Sequence, residues 1–185
     1  MDKQKDILAA ALKLFTEYGF HGTPTSKIAQ EAGVANGTLF HYYKTKDELI
    51  IALYADIKTK LSFCIDIKPN GQESIKDIAR RNYISAINWS LENPSEFRFT
   101  QQFITSPYLA LVPPQIQEQS SALLDLVKEG IRAKEIKVTP PEYVAELLNS
   151  HLSAVHQYLT RAKLSQARQK QVIADSFELL WKMLS

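Results

Sequence analysis

Residues 25–43 carry the pattern in this chain with the clearest chemical reading. Two short stretches with helical spacing, TSKIAQEA at 25–32 and NGTLFHYY at 36–43, are joined by Gly33, Val34 and Ala35. A three-residue link containing glycine sets two helices at a steep angle, which predicts a helix-turn-helix. Ile28, Ala29, Val34 and Leu39 take the inward positions, leaving Asn36, Gly37, Thr38 and His41 to face outward. In such a motif the second helix lies in the DNA major groove and the first crosses the backbone. Small residues at its start let it sit deep, and an asparagine can read an adenine edge with two hydrogen bonds. On spacing alone a plain pair of packed helices accounts for the same residues, because glycine-centred helical hairpins are common.

Other chemistries find no support in the residues. There is no phosphate loop, no H-E-x-x-H and no dinucleotide glycine fingerprint, so no enzyme and no cofactor are expected. Cys64 is the single cysteine, which excludes an internal disulfide and a cysteine zinc cage; its place on the fourth helical stripe predicts a small core residue. His151 and His156 are five apart, well off a common helix face, so no metal pair is expected. The net charge of +2, from 22 Lys and Arg against 20 Asp and Glu, selects no partner class. The polar opening MDKQKD and a longest apolar run of seven residues, 49–55, predict neither a signal peptide nor a membrane span. A cytoplasmic protein with no membrane partner is therefore the expectation.

The elements that hold the motif follow from periodicity and breakers. With 45% apolar and 10% aromatic residues the chain has the material for a core. The spacing is close to 3.6 nearly throughout, so the expected fold class is all-α, with about nine helices. They are predicted over 3–18, 25–32, 36–43, from Thr45 or Lys46 to about Cys64, 73–92, Pro94 to near Pro107, Pro113 to near Ala133, Pro140 to near Lys163, and 166–184. Thr23 or Thr25 is the expected N-cap of the second helix, and T-K-D-E at 45–48 reads as a capping box. Asn70–Gly71 is read as a turn and 136–139 as the other extended piece.

Residues 7–50 resemble the DNA-binding domain of the TetR family of bacterial transcriptional regulators. The shared pieces are A-x-x-L-F-x-x-x-G-F at 11–20, T-x-x-I-A-x-E-A-G-V at 25–34, and G-T-L-F-x-Y-Y-K-x-K-D-E-L at 37–49. The resemblance covers about a quarter of the chain, with a fainter echo in E-G-I-R-A-K-E-I at 129–136. It implies a three-helix DNA-binding domain over residues 1–47, followed by a helical ligand-binding and dimerisation domain over 48–185. It also implies a repressor that binds an inverted-repeat operator in double-stranded DNA as a homodimer and is released by a small inducer. Thr25 would bond a phosphate, Ala35, Asn36, Gly37 and Thr38 would open the recognition helix, and Lys46 would clamp a phosphate at the start of the fourth helix. Many relatives have tyrosine where this chain has Phe40, so His41 or Tyr42 would take over its phosphate contact. A helical adaptor without DNA binding is the alternative reading. Within residues 1–48 six lysines face six acids, so DNA affinity has to come from local placement of Lys27, Lys44 and Lys46.

The remainder reads less directly. Asn82 interrupts the apolar stripe of the fifth predicted helix and His151 that of the eighth. Each is either a satisfied core residue or a polar point in an apolar ligand cavity. With the resemblance favouring a pocket, Asn82, Tyr83, Phe103, Tyr108 and His151 are the expected ligand-binding residues, and the inducer is expected to be mostly apolar. The ninth helix is apolar on two sides: Ile173, Phe177, Leu180 and Leu184 form one stripe, Val172, Ser176, Leu179 and Met183 the next. A terminal helix needs only one buried face. Val172, Ser176, Phe177, Leu180 and Leu184 are therefore expected at a two-fold interface with the flank of the eighth helix.

Overall fold

The computed structural model describes residues 2–68, 72–114, 116, 121–137 and 140–185, with the backbone alone at 121 and 122. Among these the fold is all-α. The helices are α1 (Lys3–Tyr18), α2 (Thr25–Glu31), α3 (Asn36–Tyr42), α4 (Lys46–Ser62), α5 (Ile75–Glu92), α6 (Pro94–Ile104), α7 (Ser121–Arg132), α8 (Pro141–Arg161) and α9 (Gln166–Leu184), with a 3-10 turn at Pro107–Leu111. The expected turn at 70–71, and 138–139 of the expected extended piece, lie outside the described residues. No described helix is long and apolar enough to cross a membrane.

The chain forms two compact units: residues 1–59 with 93–114, and 60–92 with 115–185. In the first, α1 packs on α2 and α6, and α2 packs on α3. Ile7, Ala11, Leu14 and Phe15 form the buried stripe of α1, and Gly19, at φ 73°, turns the chain out of it. Aromatic rings tie the returning segment to this unit. Phe20 meets Phe99 edge-on at 5.6 Å and Tyr108 at 5.3 Å, while Tyr54 stacks on Phe103 at 4.0 Å. Compactness thus carries the first unit past the boundary at 47/48 read from the sequence, and draws in α6, because α4 and α6 bury their apolar faces there.

Local details differ from expectation in instructive ways. Neither Thr23 nor Thr25 caps α2; Pro24 occupies that position with no side-chain bond. Thr23 is instead fully buried, its hydroxyl donating to the Gly19 carbonyl at 2.8 Å and so fixing the α1–α2 turn. The box at α4 forms with one change. The Glu48 amide donates to Thr45 Oγ1 at 3.1 Å, but the Glu48 carboxylate accepts from the Lys44 amide at 2.7 Å, one residue earlier than the usual return bond. Cys64 is exposed rather than core, since α4 ends at Ser62 and the chain leaves the buried stripe there.

In the second unit α8 packs against α5, α7 and α9, and α9 also packs on α5. Its core joins Tyr83, Ile87, Val127, Val144, Val155, Leu159, Ile173, Phe177 and Leu180. Ser74 and Asp77 close a reciprocal cap on α5: the Asp77 amide donates to Ser74 Oγ at 3.1 Å and the Ser74 amide to the Asp77 carboxylate at 3.3 Å. The Ser74 hydroxyl also donates to the Asp77 carboxylate at 2.6 Å, and this bond, followed by that from the Ser74 amide, favours the ionised acid and lowers the Asp77 pKa.

Candidate functional site

The helix-turn-helix is built as its spacing predicts. Gly33 sits at φ 66°, a left-handed conformation that other residues adopt only with strain, and this lets α3 leave α2 at an angle. Val34 continues the turn through an amide bond to the Ala29 carbonyl at 3.0 Å. Ile28, Ala29 and Leu39 are buried beneath it. On the outer side Ala35, Asn36, Gly37, Phe40, His41 and Tyr42 are exposed, with Thr25, Thr38 and Lys46 half-buried. The aromatic run divides: Tyr43 is core, while His41 and Tyr42 pack edge-to-face at 5.6 Å on the surface. Several of the acids that cancel the local lysines are already engaged. Glu31 pairs with Lys13, Asp2 with Lys5 at 3.5 Å, and Glu48 holds a backbone amide. Lys27 lies over the Tyr18 ring at 3.8 Å, and partial burial lowers the Lys46 pKa. Gly37 has no heavy atom within 4 Å of the place a Cβ would occupy, so nothing within the fold requires glycine there.

The second unit contains a cavity of about 120 Å³ among α5, α7, α8, α9 and residues 65–67. Its walls are almost wholly hydrocarbon, including Ile75, Ala86, Leu126, Leu148, Leu152 and Trp181. Of the five expected ligand residues the structure brings only Asn82 and Tyr83 to this cavity. Phe103 and Tyr108 belong to the first unit's aromatic core, because the segment carrying them returns there. His151 is not in the lining; its Nε2 donates to the Ser176 carbonyl at 3.0 Å, and its ring lies 5.9 Å from that of Tyr83. Asn82 is fully partnered. Its Oδ1 accepts from the Asp66 amide, and its Nδ2 donates to the Asp66 and Ile78 carbonyls, each at 2.8 Å. The Tyr83 hydroxyl donates to Ser176 Oγ at 2.9 Å, since that serine gives its own proton to the Ile173 carbonyl.

Residues 7–53 match the family model described as bacterial regulatory proteins, tetR family. A solved chain from Shewanella sp. PV-4, assigned to that family, superposes over 100% of this chain and 98% of its own, with a TM-score of 0.85 at 29% identity. Over residues 7–53 the chain is similar to the tetR family of bacterial regulatory proteins, and over its whole length it shares the fold of the Shewanella chain. The fatty acid metabolism regulator protein of Bacillus subtilis is 41% identical over 54 residues, covering 29% of this chain and 28% of that relative. The match therefore spans little more than a quarter of that relative's length. The transcriptional regulator FadR from Bacillus subtilis, solved in complex with stearoyl-CoA, shares the fold at a TM-score of 0.76 and 21% identity, covering 98% of this chain and 99% of its own.

In this chain, one α9 stripe is not the surface that the sequence suggested. Phe177, Leu180 and Leu184 are buried in the unit's own core against α5 and α8, so they are not available to a partner. The neighbouring stripe faces outward, with Leu179 67% and Met183 53% exposed and Val172 and Ser176 half-buried. On α8, Tyr143 and Tyr158 are also exposed. Sequence reading missed the role of residues 65–68, although Ile-Asp-Ile-Lys alternates with period two, a sign of an extended segment with one buried side. It also missed Arg81 on α5, which binds that segment.

Proposed function

We propose that this chain is a sequence-specific transcription regulator that binds an inverted-repeat DNA operator as a homodimer, acting as a repressor released by a small, mostly apolar ligand. Residues 1–47 read the DNA, residues 48–185 hold ligand and partner, and the protein works in the cytoplasm. The observation that carries the reading is the outer face of α3. It presents Asn36, Gly37 and His41 to solvent, and it keeps a glycine that the fold does not need. A helix interior tolerates glycine at a cost of about 1 kcal/mol against alanine. A groove into which the helix backbone must press supplies the reason. Thr25 and Lys46 flank this face and take phosphates; Ala35 and Thr38 lie at the start of α3, and Phe40, His41 and Tyr42 stand towards the sugar-phosphate backbone.

The two α9 stripes divide the work: Phe177, Leu180 and Leu184 hold the core, and Val172, Ser176, Leu179 and Met183 meet the partner copy together with α8. The cavity supports an apolar inducer. An apolar cavity of about 150 Å³ takes up benzene, so one of this size accepts a ring or a short stretch of alkyl chain. The complex of the FadR relative with stearoyl-CoA is consistent with such a hydrocarbon portion. Ligand acts through α4, which runs from the first unit into the second, and DNA must weaken ligand binding by the factor by which ligand weakens DNA binding. Repeated selection of bound fragments from a random DNA pool tests the reading. An enriched inverted repeat with half-sites about 34–36 Å apart, or a multiple of it, is the expected result; no enrichment over a Lys46→Ala, Asn36→Ala double variant overturns it.

A further inference from the structure

We propose that residues Ile65–Lys68 form a gate over the cavity and that Arg81 and Asn82 are the latch that holds it shut. This rests on reading the cavity as a ligand site, and goes beyond it by naming the wall that moves. At about 120 Å³ the cavity offers less volume than most ligands need, since small-molecule pockets run to roughly 300–1,000 Å³. A ligand larger than benzene therefore has to displace a wall. Most walls are helices, each packed on two or more others. Among the described residues two are not: Ile136, and the pair Ile65 and Ile67.

These two walls are attached differently. The segment at Ile136 is tied by backbone bonds to helix ends. The Glu135 and Ile136 amides donate to the Gly130 carbonyl at 2.9 and 3.1 Å, and the Lys137 amide to the Leu184 carbonyl at 2.8 Å. Moving it would break the terminations of α7 and α9. Residues 65–68 have a single such tie among the described residues, at their N-terminal end, where the Ile65 amide donates to the Ser62 carbonyl at 3.4 Å. Their alternation turns Ile65 and Ile67 inward and leaves Asp66 and Lys68 exposed, so the inward side offers only apolar contact. Beyond that hinge, the bonds that hold residues 66–68 to the rest of the unit come from two consecutive side chains of α5. Asn82 grips both the amide and the carbonyl of Asp66, each at 2.8 Å. Arg81 donates from Nη1 to the Asp66 carbonyl at 2.7 Å and from Nη2 to the Lys68 carbonyl at 3.0 Å. Arg81 is steadied by Glu73 at 3.1 Å and Asp66 at 3.5 Å.

A wall held by side chains can be released while every helix stays intact. On opening, Asp66, Lys68 and part of Arg81 already face water, and the buried Asn82 side chain keeps its bond to the Ile78 carbonyl at 2.8 Å while the departing segment lets water reach the rest of its amide. That makes opening far less costly than burying unpaired polar groups would be. The gate also follows directly on the C-terminal end of α4, two residues after Phe63 and one after Cys64. Asn82, which the sequence marks as a polar point in a pocket, is on this reading a positioning residue for the gate and no contact for the ligand.

The test uses the full chain and two probes: benzene, which the cavity is large enough to approach, and N-phenyl-1-naphthylamine, which is several times larger and fluoresces in apolar surroundings. Because Cys64 is the chain's single cysteine and is exposed, a bimane label there reports on the gate. The larger probe should bind, Ala86→Phe should abolish its binding by filling the cavity, and the bimane signal should change at the rate of binding. Arg81→Ala should speed association of the larger probe by about tenfold or more, as loss of a charge-assisted pair of bonds implies, and leave benzene affinity unchanged. In the unaltered protein, hydrogen exchange of the Asp66 amide should accelerate when the larger probe saturates, while the Ile136 amide stays protected. Binding that is sensitive to Ala86→Phe but leaves Asp66 exchange, the bimane signal and the Arg81→Ala rate unmoved overturns the gate and keeps the cavity. No binding, or binding insensitive to Ala86→Phe, overturns the cavity reading and the gate with it.

Discussion

Replacing Gly37 with alanine should move fold stability and DNA affinity in opposite directions. Gly37 lies in the first turn of α3, its φ is not in the left-handed region, and an added Cβ would meet nothing within 4 Å. The methyl group restricts the unfolded chain and improves helix propensity, so stability should rise by about 0.5–1 kcal/mol. For a chain of this size that is an increase in Tm of about 2–4 °C at most. Bound DNA reverses the sign. A methyl carbon stands about 1.5 Å from Cα, and a helix backbone pressed against the groove has to retreat by a comparable distance. A base hydrogen bond of about 2.9 Å then stretches beyond its working range. Each such bond is worth about 1–3 kcal/mol, and a dimer forfeits one at each half-site, so affinity should fall by at least about thirtyfold. Thermal unfolding by circular dichroism and fluorescence anisotropy on the selected operator measure the two effects. Unchanged affinity would show that the backbone at Gly37 does not approach DNA, and a fall in Tm would show that the fold needs this glycine after all.

Three further outcomes follow from named side chains. Leu179→Asp with Met183→Asp should give a folded monomer by sedimentation at micromolar concentration, whereas Phe177→Asp should unfold the second unit, since losing a buried phenylalanine alone costs about 3–5 kcal/mol; a dimer that survives the first pair refutes the assignment of that stripe. Lys46→Ala should weaken binding to all DNA sequences alike and reduce the salt slope by about 0.9 for each phosphate no longer neutralised, hence about 1.8 for a dimer; an unchanged slope means that Lys46 touches no phosphate. His156 is buried, bonded through Nδ1 to Ser90 at 2.9 Å, and burial lowers its pKa. The unfolded chain therefore takes up a proton first as pH falls through about 6.5, and the folded state loses stability below that point. In His156→Gln this part of the pH dependence should vanish in urea titrations at pH 5.5 and 7.5; an identical pH dependence in the two proteins would refute it.

Much of this organisation is legible in the sequence because it is set locally. α1 and α9 run over the predicted residues, and a glycine ends the first while Ser165 caps the second, its side chain accepting from the Arg168 amide at 3.3 Å. The helix-turn-helix is legible for the same reason: its turn depends on Gly33, and its buried face on positions three and four apart. Tertiary packing decided what periodicity leaves degenerate. Two apolar stripes on α9 are equivalent in the sequence, and only the packing of α5 and α8 makes Phe177 core and Leu179 surface. Asn82 reads as a lone polar group because its partner, the Asp66 backbone, is sixteen residues away and main-chain groups leave no trace in a side-chain pattern. Phe103 and Tyr108 follow α5 in the chain yet pack in the first unit, since aromatic burial is indifferent to sequence order. Local hydrogen bonding and steric preference fixed where helices begin and turn; which apolar face finds which neighbour was settled only when the whole chain had folded, because burial depends on partners distant in sequence.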